Sequence, residues 1–396
     1  MRPASGARPQ LPSLTGLRFV AAALVVLFHA RGMLPSLRDN PALEIVGSGY
    51  SGVSLFFVLS GFVLAYNYLT PDGTGVRDTR DFLVARFARI YPVYLVGIIV
   101  GFPLFVRDLQ RSGGNAQLWR EGPPITGLTV TLLQSWVPDY ACRLNCPGWS
   151  LSTEAFFYLA FPAIGIWLVR RQRASLIAFA VTCWVIAMGV SLMYMKLNPD
   201  HFTEITAASR ADWIGMVKFS PLFRLPEFAL GMAAGVLFLR SPEMLGRHAT
   251  AIGLLAAAAI VTVLTFHARL PYLLIHNGLL APLFAVLIVA LAGGSGPLAH
   301  LLGTRPLRLL GEASFALYLM HLAILSYATK GLEMAGKSMN THPALLIVTL
   351  VVMQAISIAI LLTIEEPARR VIRSRLGRKN NAATVESQTQ ISNEPT

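Results

Sequence analysis

Long apolar runs separated by short basic stretches make up most of the chain. Runs of spanning length occur at 14–34, 48–69, 82–106, 149–169 and 174–195, and again at 221–239, 249–266, 275–293, 311–332 and 345–364. Each is close to the ~20 residues that a helix needs to cross hydrocarbon. The pattern predicts an all-α polytopic membrane protein with about ten transmembrane helices. A further run at 125–137, ITGLTVTLLQSWV, is short and bounded by Pro123, Pro124 and Pro138. Charge decides its place. If it spans, the cluster Arg170, Arg171 and Arg173 falls outside, with the basic loop after Leu239. If it does not, every dense basic cluster lies on one side: the leader, Arg77 to Arg89, Arg170 to Arg173, Arg240 and Arg247, Arg305 and Arg308, and the tail. That arrangement satisfies the positive-inside rule. We therefore expect both termini in the cytoplasm and 125–138 as an interfacial or re-entrant segment. A leader at 1–13, a membrane domain at 14–370 and a tail at 371–396, basic and then polar and disordered, complete the division.

The first apolar run, LTGLRFVAAALVVLFHARGM (14–33), carries Arg18 and His29. At 100° per residue their separation is about three turns plus ~20°, so both side chains leave the same face, roughly 16 Å apart along the axis. An ionisable group in hydrocarbon costs several kcal/mol unless it is partnered or faces a cavity. A plainer reading has Arg18 snorkelling to the inner interface and His29 marking the outer helix end.

Composition narrows the classes. Apolar residues make up 54% of the chain and charged residues 13%, and the mean hydropathy is +0.57, which excludes a soluble globular protein. The net charge of +13 recurs in short loops instead of gathering in one basic domain. It reads as topology and not as nucleic-acid binding. Three cysteines without CxxC or Cys/His spacing predict no metal site. Cys142 and Cys146, in the external loop at 107–148, form either a short-loop disulfide or two unpaired thiols.

Other polar residues interrupt or flank the runs. Arg86 and Arg89 share a helix side; they are either positive-inside anchors or an anion site suited to a cofactor's phosphates. Glu154 follows Trp149-Ser150-Leu151-Ser152 at a helix entry, where Ser150 or Ser152 can cap and the macrodipole favours a carboxylate. Tyr318 and His321 share one face of a later run, and the histidine is either functional or part of an interhelical hydrogen bond. Glu365, before Pro367, ends the last run and either pairs with Arg369 or Arg370 or supports the site.

Taken in order, these motifs resemble the membrane-bound acyltransferase-3 family. The resemblance rests on L-x-G-L-R with its Arg18 and His29, GVSLFFVLSGFVLAY (52–66), RFARIYP (86–92), WSLSTEAFFY (149–158), SFALYLMH (314–321) and E-x-P (365–367). It covers residues 14 to 370. It implies transfer of an acyl group, usually acetyl from acetyl-CoA, to a hydroxyl of a carbohydrate such as lipopolysaccharide, exopolysaccharide or peptidoglycan, or to a macrolide. It also implies a stand-alone member in the bacterial inner membrane, with no appended hydrolase-like domain. Arg18 and His29 are then the essential pair, with Trp149, Ser152, Glu154, Tyr318, His321 and Glu365 supporting.

Helix geometry suggests a division of labour. His29 serves as general base on the acceptor hydroxyl. Arg18, with Arg86 and Arg89, holds the charged end of CoA on the cytoplasmic side. Glu154 or His321 orients His29 or shapes an oxyanion site, and an acyl-histidine relay is the open variant. The competing class is a proton-coupled transporter or flippase, which buried Arg, Glu and His would also suit. Against it, the chain has no repeated half. An inert structural or sensory protein would leave the Arg18/His29 stripe unexplained.

Overall fold

The computed structural model describes residues 8–33, 44–70, 75–76, 78–294, 296–340 and 342–377. Residues 1–7 of the leader and 378–396 of the expected disordered tail lie outside the described residues. Among the described residues, ten helical segments are long and apolar enough to cross a membrane. The only strands among them are two-residue pieces, Leu69–Thr70 paired antiparallel with Gly75–Val76.

The first helix, α1, spans Pro12–Met33, and α2 spans Gly52–Tyr68. Helix α3 runs through Thr79–Val130, started by the Asp78 carboxylate, which accepts the Asp81 N–H at 3.0 Å. It is really two limbs. The backbone leaves helical geometry at Gly113 and Gly114, the latter at φ +67°, a conformation open to glycine and strained for other residues. The second limb folds back on the first, so that the Tyr94 hydroxyl donates to the Thr129 carbonyl (2.7 Å) and Tyr91 to Val130 (3.1 Å). The 125–137 run is thus a return limb followed by tight turns, not a further span.

Helices α4 (Trp149–Val169) and α5 (Arg173–Leu197) form the next pair. The sixth spanning segment is longer than the apolar run and broken: α6 (Asp212–Phe219) meets α7 (Pro221–Arg240) at an extended Ser220. After α8 (Ala249–Thr265) comes a second broken span, α9 (Tyr272–His276) and α10 (Ala281–Ala292), with Gly278 at φ +98° between them. Then follow α11 (Arg305–Met334) and α12 (Pro343–Ile360). A π turn at Leu361–Glu365 leads from α12 into α13 (Glu366–Leu376), so helix continues into the basic part of the tail.

Small residues bring the central helices together, as packing in a membrane requires. Gly61 of α2 sits on the Phe228 carbonyl of α7, and Gly231 of α7 sits on the Val58 carbonyl of α2. A Cβ at either would collide with backbone. Gly311 lets α11 close on the Thr15 carbonyl of α1 in the same way. Helices α5, α8 and α12 are peripheral and expose large apolar side chains, among them Val181 and Val185, Leu254 and Leu255, Ile347 and Val351. An apolar outer face needs lipid for solvent. Ser54, Arg224, Glu227, His276, His321 and Glu365 are buried inside the bundle.

Candidate active site

Six residues after its start at Pro12, α1 presents Arg18 to the middle of the bundle. Around it stand Arg86 and Arg89 from α3, Ser60 from α2, and Glu154 and Tyr158 from α4, lining a cavity of about 80 Å³. Arg18 and Arg89 also line a larger neighbouring cavity of about 360 Å³, with Arg8, Tyr66, Glu365 and Arg369. Among the described residues, neither Arg18 nor Arg89 has an ion-pair partner within 4.0 Å. Arg86 is held: it donates to the Tyr68 hydroxyl (2.7 Å) and lies over that ring at 5.0 Å. Two guanidiniums with unfilled donors therefore face open space at this end of the bundle.

Glu154 does not cap its helix. It lies in the second turn of α4, no serine side chain caps the first turn, and its Oε1 accepts from Ser60 Oγ at 2.8 Å. Ser150 donates to the Pro147 carbonyl, and Ser152 donates to the Leu132 carbonyl while accepting the Ser135 N–H. Ser152 thus ties α4 to the turns after α3 and stands apart from the cavities. Glu365 pairs with neither Arg369 nor Arg370. It is 1% exposed, its Oε2 has no hydrogen-bond partner among the described residues, and Arg370 pairs instead with Glu366 at 2.8 Å. The π turn that ends at Glu365 turns this carboxyl inward; such turns often mark functional positions.

Three turns further along α1, His29 meets His321 of α11. His29 Nδ1 lies 2.9 Å from the Val25 carbonyl, and His321 Nδ1 lies 2.6 Å from the Tyr318 carbonyl. A carbonyl only accepts, so in the neutral rings both Nδ1 atoms carry the proton. His321 Nε2 then accepts from His29 Nδ1, 3.2 Å away. That leaves His29 Nε2 with its lone pair, the form a general base needs. The pair lines a cavity of about 90 Å³ with Trp149, His276, Arg210 and Lys218. Cys142 and Cys146, joined as a disulfide, form part of its wall. Glu154 is not in contact with His29; of the two proposed orienting residues, only His321 is.

Beside this cavity lies a cluster that the sequence reading missed. Arg224 and Glu227 of α7 form an ion pair (2.9 Å), each residue 1% exposed. Arg224 also donates to the His276 carbonyl (2.5 Å), to Asn277 Oδ1 and to Ser54 Oγ (2.9 Å). His276 and Asn277 lie at the break between α9 and α10, where the missing helical turn leaves carbonyls without helical partners, and Ser54 belongs to α2. Trp149 stacks on His276 with ring centroids 6.4 Å apart, so the cluster braces one wall of the histidine cavity. An Arg-x-x-Glu pair inside an apolar run was the available signal. Lys218 is spent in a similar way, donating to the Thr206, Ala207 and Ser209 carbonyls and anchoring the loop that carries Arg210.

Comparison with known proteins decides the family. A family model described as "Acyltransferase domain", of the acyltransferase-3 type, matches residues 11–362. The chain belongs to the acyltransferase-3 family. This multi-pass membrane protein is therefore an acyltransferase, and the family does not favour the transporter reading. Acyltransferase MdmB of Streptomyces mycarofaciens is 30% identical over 326 residues, covering 80% of each chain. The putative peptidoglycan O-acetyltransferase YrhL of Bacillus subtilis (strain 168) is 27% identical over 91% of this chain, which spans 55% of that protein. A putative O-acetyltransferase of Staphylococcus aureus (strain COL) is 23% identical over 80% of this chain and 51% of its own length. No solved structure matches.

Proposed function

We propose that this acyltransferase moves an acetyl group from acetyl-CoA, bound at the cytoplasmic side of a bacterial inner membrane, to a hydroxyl of a carbohydrate. The observation that carries this reading is the line of cavities beside α1. Arg18 and Arg89, without ion-pair partners among the described residues and facing open space, stand at one end, and His29 Nε2, which makes no hydrogen bond among the described residues, stands at the other. Guanidinium donors suit the phosphates of CoA. The intervening walls are mostly apolar, including Val53, Phe56, Phe57 and Ile90, and suit its flexible arm.

The chemistry follows from these positions. The acceptor oxygen attacks the thioester carbonyl while His29 Nε2 takes its proton. The imidazolium that forms is stabilised through Nδ1–H by the Val25 carbonyl and His321 Nε2. As the carbon–sulfur bond breaks, the proton on His29 passes to the leaving thiolate, so that ester and free CoA result. Tyr50, Trp149 and Tyr272 offer ring faces around the histidine cavity against which an apolar face of a sugar can rest. O-Acetylation is also what the names of the Bacillus and Staphylococcus relatives state for those proteins.

The test compares glycans and extracted small molecules from cells with wild-type protein, with His29→Ala and with the gene deleted, by mass spectrometry. An added C2H2O seen only with wild type supports acetyl transfer and identifies the acceptor. No ester difference in any fraction, with the protein present in the membrane, would overturn it.

A further inference from the structure

The arginine-side and histidine-side cavities meet at one side chain. Tyr318 lines both, and the other wall that they share is Val53 on α2. The Tyr318 ring is 5% exposed and stands edge-on to Phe56 at 5.8 Å. Its hydroxyl lies 2.9 Å from Ser150 Oγ. Ser150 donates its own proton to the Pro147 carbonyl at 3.0 Å, so its oxygen accepts from Tyr318. One neutral hydrogen bond therefore holds the ring across the junction, a tie weak enough to yield when a ligand arrives.

A CoA arm running from Arg18 to His29 must cover roughly 16 Å along α1. It has to pass this ring. On the other side of the same residue, the Tyr318 carbonyl holds His321, which touches His29. We propose that Tyr318 is the gate between the donor and acceptor cavities and, with Val53, the determinant of which acyl chains are transferred. This rests on the acyl-CoA reading above. With the ring in place, the charged cavity and the histidine cavity are separate, so the path through the membrane stays closed between turnovers. An arriving thioester displaces the ring, and the opening then left beside Val53 admits a short acyl group and rejects a long one.

The test supplies membranes holding the full chain with acetyl-, butyryl- and octanoyl-CoA, each radiolabelled in the acyl group. Label in the ester fraction is counted for wild type, Tyr318→Phe, Tyr318→Ala and Val53→Ala. A methylene excluded by a pocket changes selectivity by about tenfold or more, so Tyr318→Ala and Val53→Ala should raise the octanoyl-to-acetyl ratio by about that factor. Tyr318→Phe keeps the ring and loses the tie, and should speed all three donors with little change in ratio. A merely structural tyrosine would leave the ratio where it is. Val53→Ala keeps the proposal falsifiable if Tyr318→Ala fails to fold, since it touches neither histidine's hydrogen bonds. An unchanged ratio in Val53→Ala, or loss of all transfer by a folded Val53→Ala protein that still binds CoA, would overturn the gate. Absence of label from every donor in wild type would overturn the acyl-CoA reading itself, and the gate with it.

Discussion

The two ends of the α1 stripe are built differently. Around Arg18 the protein has left charge unfilled: Arg18 and Arg89 lack ion-pair partners among the described residues, and they line two cavities, of about 80 and 360 Å³. Around His29 the cationic side chains are tied down by protein groups, and the cavity is about 90 Å³. His321 is oriented by a backbone carbonyl, Lys218 is tied to three carbonyls, and Arg224 fills the break between α9 and α10. A site that must hold a large charged group benefits from open donors. Proton transfer needs atoms fixed to within fractions of an ångström. The contrast is what a divided reaction would produce, with binding energy gathered at one end and bond-making at the other.

The sharpest way to break the contrast is His29→Ala. Loss of a general base should lower kcat by about 10³-fold, within the usual range for such groups. Turnover of labelled acetyl-CoA in membranes is the measurement. Next comes the Arg224–Glu227 pair. Arg224→Ala leaves a buried carboxylate alone and should cost about 3–5 kcal/mol of stability, read as a lower Tm in detergent. The double variant Arg224→Met with Glu227→Met should recover most of that loss, because two apolar side chains leave no charge to desolvate. Removing His321 sharpens the picture at the same end. His321→Ala takes away one of the two acceptors of the His29 Nδ1 proton, leaving the Val25 carbonyl, and should lower kcat by about 10–100-fold with KM for acetyl-CoA little changed. The smallest effect belongs to the open end. Arg18→Ala removes one of several charge-assisted contacts and should raise KM for acetyl-CoA by about tenfold, with kcat reduced far less.

Those expectations also mark what the sequence made legible. Helical spacing alone put Arg18 and His29 on one face and Tyr318 beside His321, because contacts within a helix follow from its period. The ten spans followed from run length, and the interfacial or re-entrant placing of 125–138 from the basic clusters, whereas the Gly113-Gly114 break that turns α3 back was not read. The interhelical partners were not legible. Nothing local assigns Ser60 to Glu154 or His321 to His29, which are 94 and 292 residues apart in the chain. Glu154 looked like a capping carboxylate because the start of α4 and the direction of its side chain were read together; the helix begins one turn too early for that. Arg224 was not singled out at all: it lies near Pro221, where the apolar run begins, and the preceding α6, which helps to bury it, lies outside that run.

The division of labour is tested most directly by measuring acetyl-CoA binding to purified His29→Ala and Arg18→Ala proteins by calorimetry. The account predicts that His29→Ala binds with a Kd within about threefold of wild type, less than 1 kcal/mol, while Arg18→Ala binds about tenfold more weakly. Binding lost in folded His29→Ala, or unchanged in Arg18→Ala, would contradict it.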